Sequence, residues 1–221
     1  MGRVDTEIAA EELFRKRKAR NNYLGFYQNT VKRVFDIVGS IIAVPFVLLL
    51  MIPIAIAIRI EDGGPVFYRS RRLGKNFEEF GMLKFRSMKM NVPDWRNDDG
   101  STFNSKDDPR VTKVGRFLRE TSLDEIPQVF NIIAGQMSIV GPRPGDVESK
   151  NTYEVDEKDK MLVRPGLTGY CQAYFRNAAS VREKRLYDAT YAHVVSFKLD
   201  VRIILRTMAT VLKKENLYTN N

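Results

Sequence analysis

One long apolar segment dominates the pattern of hydrophobic and polar positions along the chain. The 22 residues 37–58 contain no charged side chain. As a helix they would measure about 33 Å, which is enough for a bilayer core of about 30 Å. Pro45 and Pro53 lie inside the segment, and each removes a helical hydrogen bond. The pattern predicts a membrane helix over residues 34–60 that kinks or breaks at one of these prolines.

Basic residues lie on both sides of this segment. Eight Lys and Arg side chains fall within residues 1–36, and eight more fall within residues 59–90. Positive charge on both flanks favours a course in which both ends face the cytoplasm. We therefore expect a re-entrant helix that enters the membrane, bends at a proline and leaves on the same face. A single span and an unusually apolar core helix are the alternatives.

The other segments predict an α+β fold that is mainly helical with a small sheet. Short strands are expected at 66–68 and 80–85, and the pattern turns helical from Val111 onward, with a further helix near 123–134. The C-terminal helix around 201–212 has an apolar face and a basic face. It therefore suits either packing on the core or the membrane interface.

These elements divide the chain into three parts. Residues 1–33 form a basic arm with helical tendency, whose basic face could lie on anionic headgroups or in solvent. The membrane helix of residues 34–60 follows, and residues 61–221 form a cytosolic domain. Within this domain, residues 93–109 are polar and rich in turn formers, and the length of this loop suits a lid.

Composition narrows the chemistry that the cytosolic domain can perform. The net charge of +9 indicates an anionic partner, which could be nucleic acid, a phosphorylated metabolite or an acidic membrane. The chain has one cysteine, Cys171, and one histidine, His193. They cannot form a disulfide or a four-ligand zinc site, and they make Cys–His or Ser–His–Asp catalysis a poor expectation. Both are expected to be packed core residues.

The adjacent carboxylates of Asp124 and Glu125 are the main candidates for catalysis. One of them could bind Mg²⁺ while the other attacks phosphorus, with nearby arginines holding phosphate oxygens. Two capping boxes give an alternative in which these carboxylates only start a helix. In those boxes Ser122 would pair with Glu125, and Thr121 with Asp124.

Three further basic residues could hold an anion. Lys84 and Arg86 lie on one side of an extended strand, and Arg143 is fixed between two prolines. Alternatively, each is an ordinary surface or turn charge. The chain has neither a P-loop motif nor a G-x-G-x-x-G turn, so a nucleotide would be held in another way.

Six strings, in consistent order over about residues 30–215, resemble the bacterial sugar transferases. More narrowly, they are similar to the catalytic domain of the small monotopic phosphoglycosyl transferases. The strings are KRVFD at 32–36, KFRSM at 84–88, residues 104–119, TSLDEIPQ at 121–128, MSIVGPRP at 137–144 and RPGLTG at 164–169.

The resemblance implies a two-step transfer of a sugar-1-phosphate from a UDP-sugar to polyprenyl (undecaprenyl) phosphate, with release of UMP. Asp124 would be the nucleophile that forms an aspartyl-phosphosugar intermediate, and Glu125 would bind Mg²⁺. The implied ligands of the phosphates and the substrate are Arg119, Arg143, Lys84, Arg86 and, in the string QAYFRN at 172–177, Arg176.

The resemblance also implies a location and a biological role. The protein would lie in the inner (cytoplasmic) membrane with its catalytic domain facing the cytoplasm, and it would initiate surface glycoconjugate or exopolysaccharide synthesis. Membrane lipid would be a partner, and a homo-oligomer is left open. This chain departs from the family where Val44 and Ile52 precede the prolines in place of serine, and where Phe175 replaces a glycine.

Two other functions are compatible with the chain. The first is a membrane-tethered basic protein that binds nucleic acid or acts as a scaffold. No recognisable nucleic-acid motif supports it, so no nucleic-acid partner is expected. The second is a transferase that uses the same two substrates in a single step.

Overall fold

The computed structural model describes residues 25–97, 103, 105–175 and 179–212, so most of the basic arm predicted for residues 1–33 lies outside the described residues. A π-helical turn at Tyr27–Val31 leads into the first helix. The helices are α1 (Lys32–Asp62), α2 (Lys113–Glu120), α3 (Gln128–Ile133), α4 (Tyr170–Tyr174), α5 (Val181–Val194) and α6 (Phe197–Leu212). The strands are β1 (Phe67–Leu73), β2 (Glu79–Phe85), β3 (Ser138–Val140), β4 (Gly145–Asp146) and β5 (Gly166–Thr168). The prediction of a mainly helical fold with a small sheet is confirmed.

The apolar segment forms α1, which by length and composition could cross a membrane. The helix does not break at Pro45 or Pro53, because both prolines lie inside one continuous helix, and a bend at one of them stays a prediction. Packing explains the difference, since one stripe of α1 is buried against the rest of the chain along its length. This contact stabilises the helix before and after each proline. The stripe consists of Lys32, Asp36, Ser40, Val47, Ile54 and Ile58.

Both ends of α1 bind polar groups of the same folded domain. Near the beginning of the helix, the Asp36 carboxylate accepts hydrogen bonds from Ser138 Oγ (3.0 Å) and from the Ile139 amide (2.9 Å). Near its end, the Glu61 carboxylate accepts hydrogen bonds from the first amides of α2, those of residues 113 and 114, at 2.6 and 2.9 Å. Glu61 thereby caps α2 from another helix. The domain thus lies along one side of α1.

The hairpin of β1 and β2 carries two basic side chains on one of its faces. The strands are antiparallel, and β4 pairs with the other edge of β1. In their register Arg72 pairs with Phe80 and Tyr68 pairs with Lys84, so these four side chains share a face. Phe80 on this face packs on Ile132 of α3. β1 is longer than predicted because its second half is charged but still pairs with β2.

The Gly-Pro-Arg-Pro turn after β3 packs directly on the turn before β5, and β3 pairs with β5 in parallel. A Cβ atom on Gly141 would lie 2.4 Å from the Arg164 carbonyl oxygen, and one on Gly166 would lie 2.1 Å from the Gly141 amide nitrogen. Both distances are too short for any side chain, so the backbones can approach this closely only at glycine. The two turns therefore form one packed unit.

A buried ion pair holds the base of the predicted loop at 93–109. Arg110 Nη2 lies 2.7 Å from Asp108 Oδ2, and the guanidinium lies 4.5 Å from the centre of the Trp95 ring. Residues 98–102 and 104 lie outside the described residues. The role of this loop as a lid stays a prediction.

The C-terminal helix exposes part of the apolar face that its sequence predicts. The Phe197 ring contacts that of Phe35 on α1, with centroids 5.6 Å apart. The exposed apolar surface of α1 therefore continues onto α6. The exposed apolar residues of α6 are Phe197, Val201, Leu205 and Met208.

Candidate active site

Asp124 and Glu125 lie in a short 3-10 turn between α2 and α3, and not in a longer helix as predicted. Ser122 precedes the turn in the left-handed region, with φ of 58°, and its side chain caps nothing. The Thr121 hydroxyl donates back to the Phe117 carbonyl at 2.7 Å. Neither capping box forms, so the interpretation of these carboxylates as helix caps is wrong.

The turn is fixed from its apolar side. Leu123 and Ile126, on either side of the two carboxylates, pack on a cluster that includes Ile54 and Ile58 of α1. Pro127 follows, and α3 begins only at the next residue. The apolar neighbours thus hold the turn against α1.

Lys84 on β2 contacts both carboxylates. Its Nζ lies 2.6 Å from Glu125 Oε1 and 3.7 Å from Asp124 Oδ2. The strand is held beside the turn by Asn131 of α3, whose side-chain oxygen accepts from the Leu83 amide at 2.9 Å. The Asn131 amide group also donates to the Gly81 carbonyl at 2.9 Å. The sequence predicted Lys84 as a ligand but missed Asn131, because a polar residue in a short apolar helix gives no signal of its partner.

The two carboxyl groups have opposite pKa shifts. Burial raises the pKa of Asp124, and the charges of Lys84 and two arginines oppose this without cancelling it. Burial would also raise the pKa of Glu125, but Lys84, Arg143 and a hydrogen bond from Gln128 lower it to about 2. Glu125 is therefore held as a carboxylate, whereas the charge on Asp124 is poorly stabilised by the protein.

A cleft opens beside this pair. The cleft is open to solvent, and its walls include Arg72, Glu125, Gln128, Arg143 and Gln172. Burial and the nearby charges of Arg143 and another arginine lower the pKa of Arg72 to about 10. The guanidinium of Arg72 is paired with Asp146 of β4. Arg72 was not among the predicted ligands, although the period of two along a strand places it on the same hairpin face as Lys84.

Arg143 is positioned through its backbone. Its amide donates to Asp188 Oδ2 at 3.1 Å, and the same oxygen lies 3.2 Å from Lys160 Nζ. Asp188 and Lys160 are both buried. Burial raises the pKa of Asp188, and Lys160 opposes this. Neither residue was predicted, because each comes from a segment distant in sequence from the turn that it supports.

The other predicted ligands have different surroundings. Arg119 binds Ser87 Oγ through Nε at 2.9 Å, and its charge acts on Asp124. Arg86 is buried and binds Asp62 together with the Pro65 carbonyl at 2.6 Å. The prediction that Arg86 binds phosphate is not supported, because these groups use its guanidinium at the end of α1. Arg176 lies outside the described residues.

Cys171 and His193 are not part of the cleft lining. Cys171 is buried, and burial raises the pKa of its thiol. His193 Nε2 lies 2.7 Å from Asp159 Oδ2, which is a polar contact and not the apolar packing that we expected. Phe175, which replaces a family glycine, stacks on Tyr187 with centroids 4.5 Å apart. The Phe175 ring therefore packs against α5.

The donor set suits a cation that is shared with a substrate. Among the described residues, no group of three or more His, Cys, Asp or Glu side chains could hold a metal ion. Mg²⁺ commonly binds one or two carboxylates and completes its shell with substrate phosphates and water. Asp124 and Glu125 provide those carboxylates beside a basic cleft. The residues therefore fit Mg²⁺ together with a diphosphate.

Comparison with known proteins places this geometry in a family. A family model described as bacterial sugar transferase matches residues 27–214. The UDP-glucose:undecaprenyl-phosphate glucose-1-phosphate transferase of Xanthomonas campestris pv. campestris is 37% identical over 209 residues, which are 90% of this chain and 41% of that protein. The undecaprenyl-phosphate galactose phosphotransferase of Salmonella typhimurium is 35% identical over 216 residues, 91% of this chain and 44% of that protein.

A third relative is closer in length. The exopolysaccharide production protein ExoY of Sinorhizobium fredii is 36% identical over 202 residues, which cover 85% of this chain and 88% of that protein. The chain thus spans less than half of the first two relatives but most of the third. Because the family match extends over the whole described fold, including the carboxylate turn and the cleft, this protein belongs to the bacterial sugar transferase family.

Proposed function

We propose that this protein transfers a sugar-1-phosphate from a UDP-sugar to undecaprenyl phosphate and releases UMP. Such a reaction would initiate the assembly of an exopolysaccharide or another surface glycoconjugate. The names of the relatives supply the two substrates. The observation that carries the proposal is the buried Asp124 carboxylate, which lies beside Lys84 and next to a cleft with further basic residues.

The cleft chemistry suits a diphosphate. A carboxylate that approaches phosphorus is repelled by the phosphate charge until cations neutralise that charge. Arg72 and Arg143 line the cleft, and Lys84 contacts Glu125, which lines it as well, and Asp124. Arg143 is held between prolines and fixed through its amide, so little conformational entropy is lost when its side chain binds an anion.

Asp124 is the nucleophile of the proposed first step. Among the described residues its carboxylate accepts no hydrogen bond, which leaves both oxygens available. One oxygen attacks the sugar-bearing β-phosphorus, and the bond from this phosphorus to the oxygen of the α-phosphate breaks. UMP leaves with the bonding electron pair, and the sugar-phosphate stays on Asp124.

In the second step the acceptor regenerates the carboxylate. A phosphate oxygen of undecaprenyl phosphate attacks the same phosphorus, and the bond between phosphorus and Asp124 breaks. The product is a lipid-linked sugar diphosphate. Two dissimilar substrates therefore use one phosphate site in turn, and Arg72, Arg143 and Lys84 serve both steps.

Glu125, with Asp124 beside it, would hold Mg²⁺ together with the diphosphate. The bound cation would withdraw charge from the phosphate oxygens. Gln128 supports this role, because its hydrogen bond favours the charged form of Glu125. Lys84 favours the charged form as well.

The position of α1 supports a lipid-linked acceptor. Leu123 and Ile126, next to the two carboxylates, pack on α1, whose other side is apolar and exposed. An isoprenoid chain could lie along that exposed side while its phosphate reaches the cleft. The apolar surface that continues from Phe35 to Phe197 would contact the same membrane.

The contacts at both ends of α1 support the re-entrant course. Asp36 binds Ser138, and Glu61 binds the amides at the beginning of α2, so polar groups of one domain contact both ends of the helix. A helix that crossed the bilayer would place these groups on opposite sides. With basic residues on both flanks, this favours entry and exit on the cytoplasmic face of the inner membrane.

A UMP-release assay with the full chain in detergent tests the function. A panel of UDP-sugars is offered with undecaprenyl phosphate, and we expect UMP release with at least one donor that depends on the acceptor. Without acceptor, a donor labelled in its β-phosphate should leave the label on wild-type protein but not on Asp124→Asn. Turnover without a trapped adduct would favour the single-step reaction, and the absence of UMP release with every donor would refute the proposed activity.

Cysteine labelling tests the membrane course. Ala10→Cys and Pro65→Cys place thiols before and after α1, and the native Cys171 is buried. In inside-out and right-side-out vesicles, we expect an impermeant maleimide to label both positions from the cytoplasmic side only. Labelling of the two positions from opposite sides would show that α1 spans the membrane and would refute the re-entrant course.

A further inference from the structure

The ammonium group of Lys84 occupies a position that a bound cation would need. Its Nζ lies 2.6 Å from Glu125 Oε1 and 3.7 Å from Asp124 Oδ2. Its side chain is 17% exposed, so the ion pairs are largely shielded from water. Among the described residues these are the ion pairs of the two carboxylates, and Lys84 therefore acts as their internal counter-cation.

We propose that Lys84 and a divalent cation compete for Glu125, so that the cation displaces the ammonium group and the ammonium group then binds the substrate diphosphate. This inference rests on the proposed function, which places a cation and a diphosphate in the cleft. Two cations cannot share the same carboxylate oxygen at short range without strong repulsion. The flexible four-carbon stem of lysine allows Nζ to move while β2 stays in place.

The backbone around Lys84 supports a movement of the side chain alone. Asn131 holds β2 on both sides of Met82 through hydrogen bonds to the Gly81 carbonyl and the Leu83 amide. Phe85, the next residue, is buried in the cluster that includes Ile58. The strand is therefore anchored on either side of Lys84. Glu125, which Lys84 Nζ contacts, lines the cleft, so a short movement of Nζ would bring it to the cleft.

Competition predicts that the cation and the diphosphate bind cooperatively. With the cation alone, the displaced ammonium group would lose its carboxylate partners inside a poorly hydrated site, which weakens cation binding. With a diphosphate present, the ammonium group gains a new anionic partner. The diphosphate should then strengthen cation binding, and the cation should strengthen diphosphate binding by the same factor. A lysine that stayed on Glu125 would give no such coupling.

Binding of Mn²⁺ to the full chain in detergent tests the competition directly, with the free ion measured by electron paramagnetic resonance. Without nucleotide, we expect Lys84→Met to bind Mn²⁺ at least about tenfold more tightly than wild type. Lys89→Met, which changes an exposed lysine five residues away, should leave the Mn²⁺ affinity unchanged. Equal or weaker Mn²⁺ binding by Lys84→Met would overturn the inference.

A second measurement uses only the wild-type chain, in case Lys84→Met does not fold. Lysines are acylated with a water-soluble ester and quantified by mass spectrometry. Saturating Mg²⁺ should raise the acylation of Lys84 severalfold relative to Lys89, and addition of UDP should reverse the increase. Unchanged acylation of Lys84 at saturating Mg²⁺ would mean that Nζ stays on Glu125, which overturns the inference.

The inference and the proposed function can fail separately. Wild-type UMP release together with unchanged Mn²⁺ affinity in Lys84→Met would reject the competition and keep the transferase. Tighter Mn²⁺ binding by Lys84→Met without UMP release from any donor would keep the competition and reject the transferase.

Discussion

Two buried aspartates, Asp200 and Asp124, have opposite surroundings. Asp200 is 4% exposed, and its carboxylate accepts hydrogen bonds from Lys32 Nζ (2.6 Å), Tyr27 Oη (2.8 Å) and Tyr191 Oη (2.6 Å). Asp124 is 8% exposed, yet among the described residues its carboxylate accepts no hydrogen bond and its nearest cation is Lys84 Nζ at 3.7 Å. The two carboxylates are therefore buried to a similar extent, but hydrogen bonds and an opposite charge compensate Asp200 fully and Asp124 hardly at all.

The difference separates a carboxylate that supports the fold from one whose charge the protein leaves uncompensated. A buried charge is costly unless hydrogen bonds and an opposite charge compensate it. Asp200 has that compensation and joins the beginning of α1 to α6. Asp124 lacks it, and burial raises the pKa of its carboxyl group. An uncompensated charge next to an open basic cleft is the arrangement expected when the compensating group is a substrate or a cation.

The largest expected effect is on turnover and separates the two aspartates. Asp124→Asn should lower kcat for UMP release by about 10³-fold or more, because the amide cannot form the covalent intermediate. Its thermal unfolding temperature should equal or exceed that of wild type, since a poorly stabilised charge is removed. Asp200→Asn should keep most of its turnover and unfold at a lower temperature. Loss of stability in Asp124→Asn would show that its carboxylate supports the fold after all.

The second-largest expected effect is on the free energy of unfolding. Asp200→Ala leaves the buried Lys32 ammonium without its partner, which should reduce the free energy of unfolding by about 3–5 kcal/mol. Denaturation in detergent measures the loss. Lys32→Met in the same chain should recover part of it, because the unpaired charge is then removed as well. If the double variant is less stable than Asp200→Ala, the ion pair is not the source of the effect.

Sequence patterns predicted the helices and strands better than the contacts that support the two adjacent carboxylates. The uncharged segment predicted α1 because its length and composition are unambiguous, and the resemblance marked Asp124 and Glu125. The continuity of α1 through Pro45 and Pro53 was missed, because it depends on a buried stripe that exists only once the domain has folded against the helix.

The residues that support the site but were not predicted were missed for one physical reason. Asn131, Asp188 and Lys160 act on backbone or charged groups that are distant in sequence, and a single sequence carries no record of such contacts. The phosphate-binding role that the resemblance implies for Arg86 stays a prediction, and the guanidinium binds Asp62 and a backbone carbonyl at the end of α1.

The buried carboxylate of Asp188 is compensated less fully than that of Asp200 and more fully than that of Asp124. Its substitution should therefore have an intermediate effect. One oxygen accepts from the Arg143 amide and faces Lys160, whereas the other is buried without a hydrogen-bond partner in the part of the chain that the structure describes. Asp188→Asn should raise the KM for the UDP-sugar about tenfold with little change in kcat, because the turn that presents Arg143 is less well fixed.

A double-mutant cycle distinguishes a role of Asp188 in positioning Arg143 from a general loss of protein stability. In an Arg143→Ala background, Asp188→Asn should raise the KM no further. His193→Asn, which removes the contact with Asp159 elsewhere on α5, should leave the KM unchanged. Additive effects of the two substitutions would assign Asp188 to stability alone.

The smallest effect concerns the hydrogen bond between Ser87 and Arg119. Ser87 Oγ accepts from Arg119 Nε at 2.9 Å, and a Cβ on Gly115 of α2 would lie 2.0 Å from the Ser87 carbonyl, so this segment packs directly on the helix that carries Arg119. Ser87→Ala removes one hydrogen bond, worth about 0.5–1.5 kcal/mol, but leaves that packing intact. We expect kcat/KM for UMP release to fall about two- to tenfold. Thr152→Ala, which removes two exposed hydrogen bonds of a hydroxyl that does not line the cleft, is the control. Equal activity of Ser87→Ala and the control would show that the packing of α2, without the Ser87 hydroxyl, suffices to aim Arg119.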